Sequence, residues 1–292
     1  MPIEKKATLS CSAEADAADA FQKLDTCCTE TFGGLLLSTQ FWSTWTGLEE
    51  EGQLLPANSW SLHGLWPDYC NGSYTGYCDF SRQYDPVPSP PTIDGIANGT
   101  VVPPWTGEGP DVWLKQYGKF DLLDWANKYW INQGAPNHEL WAHEFAKHAT
   151  CFSTFDKECY GTQYREHEDV IDFFEATIMY DLRLPTYEWL EAAGITPSNS
   201  TKTSLKDIQD ALTKGYGFLP YVGCSGPRYN ETEAGKGSTD SGRTQLSETW
   251  YYFHVSSKTP IYTRSQAILI ISHSPTADHR RATGNPSMLR AS

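Results

Sequence analysis

The 292-residue sequence lacks features that would place it in several common classes of protein. Its longest apolar run near the C-terminus, Ala267 to Ile271, is far shorter than the roughly 20 residues that span a bilayer, so we expect no membrane partner. It has no C-x-x-C pair, which argues against the usual zinc and thioredoxin patterns. Its formal net charge is −14, so broad neutralisation of phosphates is not expected, and neither is binding to DNA.

The sequence also lacks a visible secretory signal. Its start, MPIEKKATLSC, has no apolar stretch or small-residue cleavage site, so we expect a trimmed or incomplete chain. Eight cysteines, including the adjacent Cys27 and Cys28, are nevertheless many for a cytosolic protein. We therefore expect disulfides, rather than the alternative of buried reduced thiols, and a secreted or vacuolar protein. Four Asn-x-Ser/Thr sequons favour the same route: Asn71, Asn98, Asn199 and Asn230.

Helical and strand-like segments are mixed along the chain without internal repeats or βαβ alternation. This order predicts a single α+β domain with a central, mostly antiparallel sheet flanked by helices. We expect the domain to span 8–255, and the basic segment 256–292 to be a poorly ordered tail. The expected strands are 35–42, 59–66 (closed by Pro67), 220–224 and 249–255, and a loop is expected at 85–111. The expected helices are one from Asp121 to Gly134 and those at 139–149, 165–182 (with an apolar stripe from Val170 to Ile178), 186–193 and 203–214.

The segment LWAHEFAKHATC (140–151) carries ionisable groups on one side of an expected helix. At about 100° per residue, the angles are about 0°, 40°, 100° and 140° for His143, Lys147, Glu144 and His148. A surface ion pair between Glu144 and Lys147 is the plainer alternative. A zinc-protease pattern is disfavoured, because its histidines are spaced i, i+4 and Lys147 holds the second ligand position. A protonated ammonium cannot bind zinc, so we expect no metal.

The segment SWSLHGLWPD (59–68) supplies a third imidazole, His63, among aromatic residues. A lone histidine in a strand is more often structural, but Gly64 and Pro67 indicate a fixed backbone that presents the side chain. Two histidines can act as general base and general acid, while Lys, Glu and a third His stabilise charge on a phosphoryl group. Such a set needs no activated Ser or Cys when RNA supplies its own 2′-hydroxyl, and aromatic rings can stack its bases.

Together the two segments resemble the pair of active-site signatures of the ribonuclease T2 family. The first signature, W-x-L/I-H-G-L-W-P-D, is matched from Trp60 to Asp68. The second, H-E-x-x-K-H-G-T-C, is matched from His143 to Cys151, except that Ala149 replaces the glycine. Phe145 also replaces a more frequent Trp, but neither change touches a proton-transfer group. The resemblance looks fungal and extends from about Cys11 to His254.

The resemblance implies a role for each matched residue. His148 is expected to be the general base on the 2′-hydroxyl and His63 the general acid on the 5′-oxygen. His143 is expected to hold the phosphate, with Glu144 and Lys147 stabilising the transition state. For the bases, the resemblance implies aromatic walls from Trp66 and Tyr74, a hydrogen-bond acceptor from Asp68, and a second base site lined by Gln40.

The resemblance also implies a disulfide pattern. It predicts the bridges Cys27–Cys159 and Cys78–Cys151. Cys11 is expected to bridge either Cys70 or Cys28, and the context LSCS favours Cys70. Cys224 lacks the expected partner beyond residue 250, because the resemblance stops after Val255. A frame change or an altered splice at that point is one hypothesis.

These features predict a monomeric endoribonuclease that acts on single-stranded RNA without a cofactor, with broad base specificity. One alternative is a non-catalytic protein of the same fold with a binding or cytotoxic role, which would be marked by loss of His63 or His148. A zinc hydrolase is the other alternative, and Lys147 disfavours it.

Overall fold

The computed structural model describes residues 10–11, 26–27, 30, 34–225 and 245–255, and the backbone of 271–272. Within these residues the chain forms an antiparallel sheet with helices packed against it, which confirms the expected α+β class. The strands are β1 Leu35–Phe41, β2 Ser61–Asp68, β3 Tyr221–Ser225, β4 Gln245–Val255 and the short β5 Ile271–Ser272. The helices are α1 Pro110–Gln116, α2 Phe120–Tyr129, α3 Asn137–Lys147, α4 Glu168–Asp181, α5 Thr186–Ala192 and α6 Leu205–Tyr216.

The strands of the sheet lie in the order β2-β1-β4-β3, with β5 beside the end of β4. Among the described residues, β2 pairs along only one side, with β1, and therefore has an edge without a ladder. The sequence predicted that Pro67 would close this strand. Instead, the strand continues through Pro67 to Asp68, and its position at the edge of the sheet explains why. Proline has no N–H to donate and is tolerated on an edge strand.

One face of the sheet and the helix α4 form the main core. On β4 the burial alternates, so that Thr249, Tyr251, Phe253 and Val255 point inwards. Tyr251, Phe253 and Val255 belong to the same core cluster as the apolar stripe of α4, which is buried from Val170 to Ile178 as predicted. Burying a large apolar side chain of this kind stabilises the fold by about 1.5–3 kcal/mol, so this layer holds the sheet in place.

Two of the differences between the expected and the observed helix boundaries have a clear physical cause. The expected loop at 85–111 ends in α1, which begins at Pro110. Proline is well suited to the first helical position, where its missing N–H is not needed. The next helix, α2, ends at Tyr129 rather than near Gly134, and Trp130 follows it with a non-helical backbone. Trp130 is fully buried beside Trp141 and Phe174, so tertiary packing ends this helix before the glycine.

Three disulfides cross-link the described residues: Cys11–Cys70, Cys27–Cys159 and Cys78–Cys151. Of the two partners considered for Cys11, the structure therefore has Cys70. Cys224 is exposed and forms no bridge within the described part of the chain. Cys28, Asn230 and the expected tail lie outside the described residues, apart from the backbone of Ile271–Ser272, which pairs with β4. No helix among the described residues is both long enough and apolar enough to cross a bilayer.

Candidate active site

The strand β2 presents His63 through an irregularity in its pairing with β1. Thr39 pairs with Gly64 and Gln40 pairs with Leu62, so His63 is an extra residue with no partner in the register. Such a bulge bends the strand and redirects a side chain. As a result His63 lies on the same partly exposed face as Trp66 and Asp68, while the intervening Leu65 points into the core.

Contacts on both sides fix the position of His63. The ring of Phe41 stacks on its imidazole with ring centroids 3.7 Å apart. Its backbone carbonyl accepts a hydrogen bond of 2.7 Å from Nε1 of Trp130. The buried Trp130 thus ties the bulge to the helical layer, and the imidazole is held in one orientation towards α3.

The helix α3 supplies the other ionisable groups. Trp141 and Phe145 are buried on its core side, which turns His143 and Lys147 to the opposite side. The helix ends at Lys147, two residues before the expected end at 149, and His148 is its C-cap with φ −109°. Its backbone N–H still donates to the carbonyl of Glu144 at 3.1 Å, and its ring stacks on Trp66 with centroids 4.9 Å apart.

The carboxyl of Glu144 lies between the two segments and is fully buried. Oε1 is 3.4 Å from Nε2 of His63, and Oε2 is 4.0 Å from Nε2 of His148. Oε2 also accepts a hydrogen bond of 2.8 Å from Nε1 of Trp66. Gly64 allows this approach, because a Cβ at that position would lie 1.8 Å from Oε2. The two signatures therefore meet at one carboxyl group.

Burial changes the acid–base properties of this cluster. It raises the pKa of Glu144 to about 7, so that the carboxyl is protonated in acid. It holds the pKa of both His63 and His148 well below the usual range for histidine. The positive charges of His143 and Lys147 lower both values further. The two imidazoles therefore exchange their protons at a lower pH than free histidine.

The third imidazole, His143, is held by residues that the sequence analysis missed. Its Nδ1 lies 2.7 Å from Oδ2 of Asp85, and the hydroxyl of Tyr77 donates to the same oxygen at 2.9 Å. Tyr77 lies on the loop after β2 and Asp85 at the start of the Pro-rich run, and neither belongs to a signature. No periodicity marks them, and the only signal was a lone Asp before the Pro-rich run DPVPSPP.

The loop after β2 is fastened to the end of α3. The backbone N–H of Tyr77 donates to the carbonyl of Lys147 at 3.0 Å. The bridge Cys78–Cys151 joins the same two segments. A Cβ on Gly76 would lie 3.0 Å from Cγ of Lys147, so the lysine side chain passes close over this glycine.

The residues expected to bind bases do not all lie close to the catalytic cluster in the structure. Trp66 lies in the cluster, in contact with Glu144 and His148. Asp68 lies two residues further along the same face of β2, and burial raises its pKa to about 7. Tyr74 is 64% exposed on the following loop, with no ring contact to Trp66 in the described part of the chain.

Gln40 is placed differently from the expectation that it lines a second base site. It is only 2% exposed. Its amide donates to Asp181 at 2.7 Å and to the carbonyl of Leu184 at 3.1 Å, and its oxygen accepts from Thr186. Because its donors are used and its side chain is buried, Gln40 has a structural role here instead.

One group in the described part of the chain has a geometry that could hold a metal ion. His143, Glu144 and His148 each bring one ligand-type atom within 4.8 Å of the others. The charge of Lys147 is close enough to lower the pKa of His148. That charge opposes a divalent cation at this position.

A family model of the ribonuclease T2 family matches residues 33–263. Ribonuclease Le2 of Lentinula edodes is 34% identical, with 85% of this chain and 82% of that protein covered. Ribonuclease M of Aspergillus phoenicis is 35% identical, with coverage of 84% and 85%. The crystal structure of Actibind, described as a T2 ribonuclease, superposes with a TM-score of 0.64 at 31% identity, covering 92% of this chain and 89% of that chain.

The chain belongs to the ribonuclease T2 family. The matched region begins just before β1 and ends shortly after β4, and it contains both histidine segments. The chain spans only about half the length of some relatives: Ribonuclease T2-like 1-A of Candida albicans is 33% identical, and the match covers 85% of this chain and 50% of that protein.

Proposed function

We propose that the chain is an endoribonuclease that cleaves single-stranded RNA through a 2′,3′-cyclic phosphate, without a metal or another cofactor. One observation carries the proposal: the imidazoles of His63 and His148 lie on either side of the buried carboxyl of Glu144, at 3.4 Å and 4.0 Å. Two imidazoles converging on one small volume can remove one proton and deliver another.

In the proposed mechanism, neutral His148 takes the proton of the 2′-hydroxyl as that oxygen attacks phosphorus. Protonated His63 gives its proton to the departing 5′-oxygen, which leaves a cyclic phosphate. The two roles reverse when water opens the ring. Each proton transfer contributes about 10² to 10⁴ in rate. The depressed pKa of both histidines places the working range below that of free histidine.

The remaining ionisable groups suit the charge that develops on phosphorus. Lys147 and His143 supply positive charge at the end of α3. Because burial raises the pKa of Glu144 to about 7, this carboxyl is neutral in acid and can donate to a phosphoryl oxygen without repelling it. An acidic protein can thus hold an RNA phosphate locally, despite its net charge.

We propose a base site formed by Trp66, Tyr74 and Asp68. One face of the Trp66 indole is covered by His148, so a base would stack on the other face. Asp68 keeps an acceptor oxygen in either protonation state and can bind an exocyclic amine. This contact favours adenine while leaving cleavage broad, because the stack accepts any base.

We propose that the protein is a secreted or vacuolar, glycosylated monomer. Three disulfides in the described residues favour an oxidising compartment. Three sequons are exposed and open to a glycan: Asn71, Asn98 and Asn199.

The proposed activity is tested with single-stranded RNA at acidic pH in EDTA, with His148→Ala beside the unchanged protein. His138→Ala is a matched control, because His138 is exposed on the same helix. We expect cleavage in EDTA, a loss of about 10² to 10⁴ in rate for His148→Ala, no change for His138→Ala, and no cleavage of DNA. Loss of activity in EDTA would favour metal binding by the three-residue group on α3. An inactive but folded protein would favour the non-catalytic alternative.

A further inference from the structure

Asp85 is a buried carboxyl group that points at the phosphate-binding imidazole. It is 1% exposed, and it lies in the chain between the bridged Cys78 and the helix α1. Its Oδ2 is 2.7 Å from Nδ1 of His143, a short distance for a nitrogen–oxygen hydrogen bond. A buried carboxyl needs hydrogen-bond donors, and His143 is one of three that meet it.

The other two donors show that both oxygens of the Asp85 carboxyl accept hydrogen bonds. The backbone N–H of Val87 donates to Oδ1 at 2.8 Å, and the hydroxyl of Tyr77 donates to Oδ2 at 2.9 Å. An ionised carboxyl only accepts hydrogen bonds, so the proton in the contact with His143 belongs to Nδ1. The neutral imidazole then has its lone pair on Nε2, on the side of the ring away from Asp85.

The backbone around Asp85 is fixed before any substrate arrives. The amide of Gln83 spans the turn: its oxygen accepts from the N–H of Asp85 at 2.9 Å, and its nitrogen donates to the carbonyl of Asp85 at 3.0 Å. The N–H of Trp105 donates to the same carbonyl at 2.9 Å. The carboxyl therefore has little freedom, and it can determine the orientation of a neighbouring ring.

We propose that Asp85 is a positioning residue for His143, which holds the Nδ1–H form and aims Nε2 at the RNA phosphate. The kinetic part of this inference rests on the proposed function. When His143 is protonated, its Nδ1–H still donates to Asp85, and its Nε2–H becomes the donor to the phosphate. The carboxylate of Asp85 then balances the positive charge of the imidazolium. A carboxylate behind a ligating histidine fixes its tautomer and orientation in the same way in metal sites.

The change Asp85→Asn tests the tautomer directly. The backbone N–H of Val87 can only donate, so the new amide must keep its oxygen at the Oδ1 position. Its NH₂ group then faces Nδ1 of His143, which has to become an acceptor, and the proton moves to Nε2. Long-range proton–nitrogen NMR of the imidazoles distinguishes the two forms. We expect Nδ1–H for His143 in the unchanged protein near neutral pH and Nε2–H in Asp85→Asn.

Kinetics supply a second readout. We expect kcat/KM of Asp85→Asn to fall about 10- to 100-fold, the range seen when the partner behind a ligating histidine is lost. The loss should fall mainly on KM, because the phosphate contact is present in the ground state as well. Asp111→Asn is the control, because Asp111 pairs with Lys115 on the surface of α1, and we expect neither readout to change.

Two results would overturn the inference. One is Nε2–H for His143 in the unchanged protein, and the other is a folded Asp85→Asn with both the Nδ1–H form and its KM retained. If Asp85→Asn does not fold, Tyr77→Phe provides the test, since it removes one donor and keeps the carboxyl. It should keep the Nδ1–H form, and an Nε2–H form there would contradict the role of Asp85. The NMR readout needs no activity, so a failure of the proposed function would be recognised separately by an unchanged protein that does not cleave RNA.

Discussion

The strand β2 and the helix α3 present their histidines by different means. On β2, a bulge takes His63 out of the register, and Gly64 makes room for the partner carboxyl. On α3, helical periodicity aligns His143 with Lys147, and the end of the helix places His148. A bulge is a local exception to the alternation of a strand, whereas the face of a helix follows from its period. The strand side of the site thus depends on one irregularity, and the helix side on many regular contacts.

The strongest test of this comparison removes one imidazole from each element. His63→Ala and His148→Ala should each lower kcat by about 10² to 10⁴. The double variant should be little worse than the worse single one, because groups that act as a unit are strongly non-additive. Single-turnover RNA cleavage by the four proteins measures this. Losses that simply multiply would mean that the two elements act independently.

The second test adds one methyl group at Gly64 on β2 and, separately, at Gly76, the loop glycine over which the side chain of Lys147 on α3 passes. In Gly64→Ala the new Cβ would lie 1.8 Å from Oε2 of Glu144, so the carboxyl or the strand must move. We expect a loss of about 10²-fold in kcat/KM, which is typical of a displacement near 1 Å. In Gly76→Ala the nearest atom is Cγ of Lys147 at 3.0 Å, in a side chain that can shift. Its activity should fall less, and equal losses would remove the proposed asymmetry.

The third test removes a covalent link that holds the end of α3 and leaves the bulge on β2 unchanged. Replacing both Cys78 and Cys151 by Ala removes the bridge between the loop after β2 and the segment at the end of α3. We expect the free energy of unfolding to fall by about 2–5 kcal/mol, measured by urea denaturation. Cys224→Ser is the control, because Cys224 is exposed and forms no bridge in the described residues. An equal loss in the control would contradict this account of the bridge.

The smallest expected effect is a shift of the pH profile. The charge of Lys147 lowers the pKa of both His63 and His148, so Lys147→Met should raise both. The base then becomes protonated, and the acid loses its proton, at a higher pH. Both limbs of the bell-shaped profile of kcat/KM should therefore move towards neutral pH. Lys115→Met, at a surface ion pair on α1, should leave the profile in place. A shift towards acid would contradict the electrostatic account.

Much of the fold, and the part of the site that lies on α3, follow from periodicity in the sequence. The apolar stripe of α4 and the shared face of His143 and Lys147 needed only the helical repeat. The family resemblance supplied the disulfide pairs, because spacing alone cannot choose among connectivities. The bulge at His63 could not be predicted, since no local pattern marks an extra residue in a strand.

Tertiary contacts account for the rest. Asp85 and Gln40 have side chains whose partners are far away in the sequence, at separations of 58 and 141 residues. Asp85 was missed because nothing near it indicates His143. Gln40 was assigned to a base site from the family resemblance alone, whereas in the structure its amide is used inside the core. Residue type alone does not tell whether a polar side chain faces a site or a buried partner.

The central claim is that both elements act in one transfer on the 2′-hydroxyl of RNA. It is tested most directly by mass spectrometry of the first product from a short RNA, in water enriched in oxygen-18 and in EDTA. A matched strand carries a single 2′-deoxy nucleotide on the 5′ side of the cleaved bond. The account predicts a 2′,3′-cyclic phosphate without the heavy isotope, and no cleavage at the deoxy position. A linear phosphate already labelled at first appearance, or cleavage at the deoxy position, would contradict it.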